Sequence, residues 1–335
     1  MSKTLLLTGS SGFIGSHALE YYLDHTDWNI ICPCSWSHKG TPERITEVMT
    51  EADRDRVRVI THDLTVPFTD TTIKRLGKID YIINFASDSH VDRSIEDPVP
   101  FIQNNVNIAL TLLELARVVK PEVFVQISTD EVYGTAPDGV SYKEWSHILP
   151  SNPYAASKAA QEAIAISYWR TYDVPVVITN TTNNFGERQD TEKYLAMLIK
   201  KIKNGDMVTV HGSEEFVGGR FYTYVKNHAS AIKHIIDNNL VEHYKDGEDR
   251  MFPARYNVTS DDEIDNLTLA KMTAKAMGKK LNYKLEDYHA TRPGHDRRYA
   301  LDVSKLKESG WELEYPLEKS LKNYIEWTLE HEHWL

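Results

Sequence analysis

Apolar positions in the first half of the chain fall in short β-branched or leucine-rich runs, separated by longer stretches with helical periodicity. The runs Thr4–Thr8, Asn29–Pro33, Val57–Thr61, Tyr81–Ala86, Val123–Ser128 and Val174–Thr179 predict strands. Helices are predicted near 13–24, 42–52, 101–118 and 153–171. Thr41 suits the cap of the second, with Pro42 at its first position, and Ser151 or Asn152 suits the cap of the last, ahead of Pro153. This alternation predicts right-handed βαβ units, and so an α/β fold on a doubly wound parallel sheet covered on both faces.

Beyond about residue 182 the rhythm weakens, and helices near 191–204, 226–239, 266–277 and 317–331 mix with loops rich in Asn, Gly and charge. Residues 1–182 are therefore expected to form a dinucleotide-binding domain and 183–335 mainly a smaller, mixed α/β substrate lobe. Segments near 222–239 and 254–258 are expected to return to the main sheet. No Pro/Gly/Ser linker or internal repeat intervenes, so the lobes should pack around a cleft.

With 335 residues, 41% apolar and 26% charged, the composition is that of a globular chain with an ample core. Its formal net charge of −11 disfavours nucleic acid or an acidic membrane surface as partner. Met1-Ser2-Lys3 runs straight into a strand, leaving no room for a secretory signal, and no apolar run could cross a bilayer. Cys32 and Cys34 flank Pro33 too closely to bridge, so the expected location is cytoplasmic and reducing. His331-Glu332-His333 is read as a solvated tail, and no metal is expected.

The chemistry starts at Thr8-Gly9-Ser10-Ser11-Gly12-Phe13-Ile14-Gly15, which follows the first strand and opens the first helix. Gly9 permits a tight turn, Gly12 lets backbone approach a diphosphate, and Gly15 lets helix and strand pack closely. Orphan amides and the helix dipole favour the phosphates of a dinucleotide. At the end of the second strand, the acid that would hold an NAD ribose is absent. The segment Ser35-Trp36-Ser37-His38-Lys39-Gly40 offers hydroxyls and cations, with Arg44 beyond. NADP or NAD remains open, with NADP favoured through Ser37 and Lys39. Asp63 and Leu64 after the third strand, and Ala86 and Ser87 after the fourth, are expected along the cofactor.

Tyr154 and Lys158 lie four apart on a predicted helix, hence on one face; Tyr222/Lys226 and Tyr315/Lys319 share the spacing without that context. An ammonium and a positive nicotinamide beside Tyr154 would lower its phenol pKa towards a usable base. Asp130-Glu131 follows the apolar run Val123–Ile127 and so lands at the carboxyl edge of the sheet, where ligands bind. Neighbouring carboxylates in a desolvated cleft separate into an acid and a base.

These segments resemble the extended short-chain dehydrogenase/reductases with a Rossmann-type sheet. So do Ser89-His90-Val91-Asp92-Arg93-Ser94, Asn183-Asn184-Phe185-Gly186 and Arg292-Pro293-Gly294-His295-Asp296-Arg297-Arg298-Tyr299. Within that group, Thr129-Asp130-Glu131 resembles the nucleotide-sugar 4,6-dehydratases, most closely the dTDP-glucose type. The resemblance implies a lyase that oxidises C4 of a nucleotide-linked hexose, loses water across C5–C6 and returns the hydride to C6, with the cofactor retained and restored. It assigns Tyr154 to the 4-hydroxyl proton, Thr129 to positioning, and Lys158 to tuning the tyrosine and holding the nicotinamide ribose. Glu131 takes the C5 proton and Asp130 protonates the leaving 6-hydroxyl. Asn183, Arg220 and Arg297 are implied for the diphosphate, Asp88 near the sugar, and the helices 101–118 and 153–171 for a homodimer interface. Asp88 stands where the dTDP-glucose type carries glutamate, and residues 185–190 and 214–215 also depart, so UDP-, GDP- or CDP-hexoses stay open. A C4-epimerase or uronate decarboxylase of the same fold is the alternative enzyme, and a dinucleotide-sensing module the alternative class.

Overall fold

The computed structural model describes residues 2–37, 39–215, 217–242, 244–246, 250–286 and 296–335. Six strands, β1 (Thr4–Thr8), β2 (Asn29–Cys34), β3 (Val57–Thr61), β4 (Tyr81–Asn84), β5 (Val123–Thr129) and β6 (Val176–Thr181), match the predicted runs to within two residues at each end. With Ala254–Val258 they form one parallel seven-stranded sheet in the order Ala254–Val258, β6, β5, β4, β1, β2, β3. The order reverses between β1 and β4, which opens a crevice at the carboxyl ends of those strands.

Helices α1 (Phe13–His25), α2 (Glu43–Thr46), α3 (Asp70–Leu76), α4 (Val91–Glu96), α5 (Pro98–Val119) and α6 (Pro153–Tyr172) connect these strands. Successive side chains of a strand face opposite ways, and β1 shows the result. Leu5 and Leu7 enter one core with Leu19, Tyr22, Ile232 and Ile235, while Leu6 enters the other with Ile82, Leu112 and Phe124. Both faces are therefore apolar, and the sheet is sandwiched by helices.

Two helical expectations change. The span 42–52 is only the single turn α2, because the Thr50–Asp53 capping box starts a separate 3₁₀ turn at Glu51–Asp53. The run from Tyr222 does not add a strand to the main sheet. Gly219–Tyr224 lies between Glu263–Asp265 and Asn183–Phe185 in a three-stranded sheet of its own, and Val225–Asp237 is a helix against α1. A third core, with Phe185, Leu198, Tyr222, Leu269 and Tyr324, gathers the helices Tyr194–Asn204, Asn266–Ala276 and Leu317–Glu330 around that small sheet. Among the described residues no helix is long and apolar enough to cross a membrane.

Candidate active site

A cleft of about 920 Å³ runs along the carboxyl ends of β1, β2, β4 and β5 and out to the helix Tyr194–Asn204. At its floor Gly9 has φ +69°, and a Cβ there would lie 2.9 Å from the Ala86 nitrogen. A Cβ on Gly15 would sit 2.1 Å from the Gly9 carbonyl oxygen, so only glycine lets α1 meet the loop. Gly12 is the α1 N-cap and supplies no side-chain cap, which leaves first-turn amides for a ligand; Gly12, Phe13 and Ile14 all line the cleft. This cradle fits a dinucleotide diphosphate.

Ser37, Lys39, Asp63, Leu64, Ala86 and Ser87 line the same cleft. Asp63 is turned to its own loop, accepting from the Thr65 amide at 2.9 Å and hydroxyl at 2.8 Å, which holds its carboxyl below the usual range. The cations behind the NADP expectation are engaged. Lys39 Nζ lies 3.4 Å from Asp190 Oδ1 and 3.5 Å from Glu192 Oε2. Arg44 is buried, donating from Nε and Nη2 to the Arg188 carbonyl at 3.2 and 2.9 Å and from Nη2 to Asp190 at 3.0 Å.

β5 carries Thr129 to the cleft, and a 3₁₀ turn (Asp130–Tyr133) displays the two acids before Gly134 at φ +73° redirects the chain. Asn152 caps α6 through Oδ1, accepting from the Ala155 amide at 2.9 Å, and donates from Nδ2 to Glu131 at 3.2 Å. One residue thus aligns the helix bearing Tyr154 and Lys158 with the base candidate. Thr129 donates to Asp130 Oδ1 at 3.0 Å and lines the cleft beside Tyr154. Tyr299 donates to Glu131 at 3.3 Å.

Burial raises both acids. Burial, with Glu131 alongside, pushes Asp130 up to about 8, and its Oδ2 is buried without a hydrogen-bond partner. Burial also raises Glu131, but Asn152, Arg220, Lys193 and Tyr299 oppose the rise. Tyr154 differs from expectation: burial and the charges of Glu131 and Asp130 push its phenol up. Lys158 is lowered to about 7 by burial, and its Nζ donates to Gln161 Oε1 at 2.7 Å. Gln161 ends a buried polar row across the sheet. Thr8 donates to Asn84 at 2.8 Å, Asn84 to Gln126 at 3.0 Å, and Gln126 to Gln161 at 3.2 Å.

Asp88, Asn183 and Arg220 line the cleft; Arg297 is exposed and contributes its carbonyl to Arg220 Nη1. Arg220 lies over the Tyr299 ring at 4.6 Å. Arg292-Pro293-Gly294-His295 and His38 lie outside the described residues. Lys193 and Tyr299 are cleft residues that sequence reading passes over. Lys193 opens what reads as a scaffold helix, and Tyr299 signals itself only by following the Arg297-Arg298 pair. The other Tyr/Lys pairs separate: Tyr222 bonds Asn266, Lys226 pairs with Glu20, and Tyr315 packs in the cores. In the tail Glu332 and His333 are exposed as expected, but the segment is anchored. His333 and Trp334 bond Glu47, and Arg44 stacks over Trp334 at 4.9 Å. Among the described residues no group of three or more His, Cys, Asp or Glu is placed to hold a metal.

Residues 6–324 match the family model described as GDP-mannose 4,6 dehydratase. The low-salt glycan biosynthesis protein Agl12 of Haloferax volcanii is 34% identical over 325 residues, covering 97% of this chain and 98% of that protein. dTDP-glucose 4,6-dehydratase of Xanthomonas campestris pv. campestris is 32% identical over 350 residues, covering 99% and 95%. The crystal structure of DesIV, a dTDP-glucose 4,6-dehydratase from Streptomyces venezuelae with NAD bound, superposes with a TM-score of 0.84 at 29% identity, over 99% of this chain and 98% of that one.

Proposed function

Because the chain belongs to the family that the GDP-mannose 4,6-dehydratase model describes, a nucleotide-sugar family of the extended short-chain dehydrogenase/reductases, we propose that it is a 4,6-dehydratase. Its substrate is a nucleotide-diphosphate hexose, with dTDP-glucose the first to test, and its product the 4-keto-6-deoxy sugar. One observation carries this reading: Asp130, Glu131, Thr129 and Tyr154 line one cleft, and burial raises both acids, Asp130 to about 8.

A nicotinamide dinucleotide held by Gly9, Gly12, Phe13, Ile14, Gly15, Ala86, Ser87 and Lys158 supplies hydride acceptance at C4 and hydride return at C6. The chain's residues manage the protons. Tyr154 receives the 4-hydroxyl proton as a phenolate, a form that burial and the two acids oppose and that the positive charge of a bound nicotinamide would favour, with Thr129 positioning the sugar oxygen. The ketone formed at C4 acidifies the C5 hydrogen, which Glu131 accepts, while Asp130, protonated at neutral pH, donates to the departing 6-hydroxyl so that it leaves as water. Asp88 faces the hexose, and Arg220 and Asn183 suit the diphosphate.

We read the dinucleotide as NAD, supported by the NAD in the DesIV complex and by the prior engagement of Lys39 and Arg44. Residues 1–182 serve mainly the dinucleotide and 183–335 mainly the sugar nucleotide. The pairing of α5 with α6, which leaves Val99, Val118 and Tyr172 exposed, suits a homodimer, and the free buried thiols of Cys32 and Cys34 suit a cytoplasmic setting. Mass spectrometry of a panel of nucleotide hexoses incubated with the protein in deuterated water tests the function. Loss of one water with deuterium gained at C5 supports it; epimers or pentoses formed without water loss refute it.

A further inference from the structure

The usual dinucleotide fingerprint places an acid at the end of the second strand for the ribose 2′-hydroxyl. This chain has none there: β2 ends at Cys34 and continues through Ser35-Trp36-Ser37. Two carboxylates nevertheless reach that edge from the opposite lobe. Asp190 and Glu192, in the segment after Asn183–Phe185, line the cleft with Ser37, Lys39 and Gly40 and share the Lys39 ammonium between them.

The segment that carries them is held firmly. Arg188 stands in the left-handed region at φ +59°, with its side chain buried against Glu20 at 2.6 Å and near the Trp327 ring. Its carbonyl accepts both donors of Arg44, and Arg93 holds Glu192 at 3.1 Å. A strained backbone fixed from several sides marks a position whose geometry matters.

We propose that Asp190 and Glu192 replace the missing β2 acid, accepting from the adenosine ribose across the cleft and excluding a 2′-phosphate by repulsion. The inference rests on the NAD reading above and is independent of which sugar is dehydrated. Arg44 cannot serve a phosphate, because its donors are spent on the Arg188 and Lys39 carbonyls and on Asp190. Lys39 could do so only by leaving two carboxylates, and a dianion would then face both acids with one arginine left on each, Arg44 on Asp190 and Arg93 on Glu192. Specificity here arises from the unfavoured ligand being repelled.

Binding decides the matter without any sugar. Dinucleotide released from the purified protein by denaturation is identified by mass spectrometry, and NAD⁺ and NADP⁺ are titrated calorimetrically into the stripped protein. The wild type should carry and prefer NAD⁺. Glu192→Gln, and the pair Asp190→Asn with Glu192→Gln, should each shift the affinity ratio towards NADP⁺, the double variant by about tenfold. High salt should narrow the wild-type discrimination and leave that of the double variant nearly unchanged. A wild type loaded with NADP, or variants that are folded by circular dichroism yet keep the wild-type ratio, would overturn the assignment. Either result leaves the dehydration assay untouched.

Discussion

Replacing Asp130 with asparagine removes one ionisable group from the most buried part of the cleft, and its effect on stability follows from the local physics. The folded protein holds the Asp130 proton up to about pH 8, whereas the unfolded chain releases it near the ordinary value of 3.8. Because the folded-state pKa is raised, the contribution of this group is fully present below the unfolded value and is lost as pH climbs to the folded one. Each pH unit between those limits costs the wild type about 1.4 kcal/mol, so the span from about pH 5 to about pH 8 costs about 4 kcal/mol at most. Asp130→Asn lacks this slope. Its amide oxygen can still accept from Thr129, while its amide nitrogen, where Oδ2 has no partner, adds a pH-independent penalty of about 1–3 kcal/mol. That penalty cancels when two pH values are compared. Urea unfolding of both proteins at pH 5 and pH 8 should therefore show the variant gaining on the wild type by a few kcal/mol, while its dehydratase activity collapses. A stability difference that does not change with pH would mean that Asp130 ionises normally in the folded protein, and the acid role would fall with it.

Further outcomes follow from neighbouring features. Tyr154→Phe should lower kcat by about 10²–10⁴-fold with little change in nucleotide-sugar binding, measured by steady-state kinetics and calorimetry. Glu131→Gln should abolish C5 deuterium exchange, read by mass spectrometry in deuterated water, while preserving the fold. Glu162→Ala leaves the fully buried Arg255 guanidinium without its carboxylate and should cost about 3–5 kcal/mol in urea unfolding, far more than a surface ion pair. Gly15→Ala forces a Cβ against the Gly9 carbonyl and should eliminate co-purifying dinucleotide, assayed in the supernatant after denaturation.

Features set by local pattern were legible in the sequence, and features satisfied at long range were not. The strands of the main sheet announce themselves because both faces are buried, so their apolar runs need no partner to be recognised. The glycine loop, Tyr154/Lys158 and Asp130-Glu131 were equally readable, since each depends on spacing within a strand, a turn or a helix start. Helix α3 escaped because its Asp70-Thr71-Thr72 opening carries no apolar period, its start being fixed by the Thr69 cap on the Thr72 amide. Arg44 reads as one of the cations that would suit a 2′-phosphate. Nothing local reveals that its partners are the carbonyl of Arg188 and the carboxylate of Asp190, 144 and 146 residues away. The pKa of Tyr154 failed for a related reason: Lys158 on its own helix was the visible neighbour, but Gln161 holds that ammonium, and burial with the acids of the turn after β5 raises the phenol.

The bond between Arg255 and Glu162 has a bearing on how the protein is made. Glu162 projects from the helix that carries Tyr154 and Lys158, and it receives Asn180 at 2.8 Å, whose amide also holds the Thr129 carbonyl. Its counter-charge leaves the ribosome 93 residues later, about 5–20 s at ordinary elongation rates. Throughout that interval the nascent catalytic helix carries an anion that cannot be sequestered without its cation. The buried pair under the candidate site can therefore form only after Ala254–Val258 docks beside β6, late in translation.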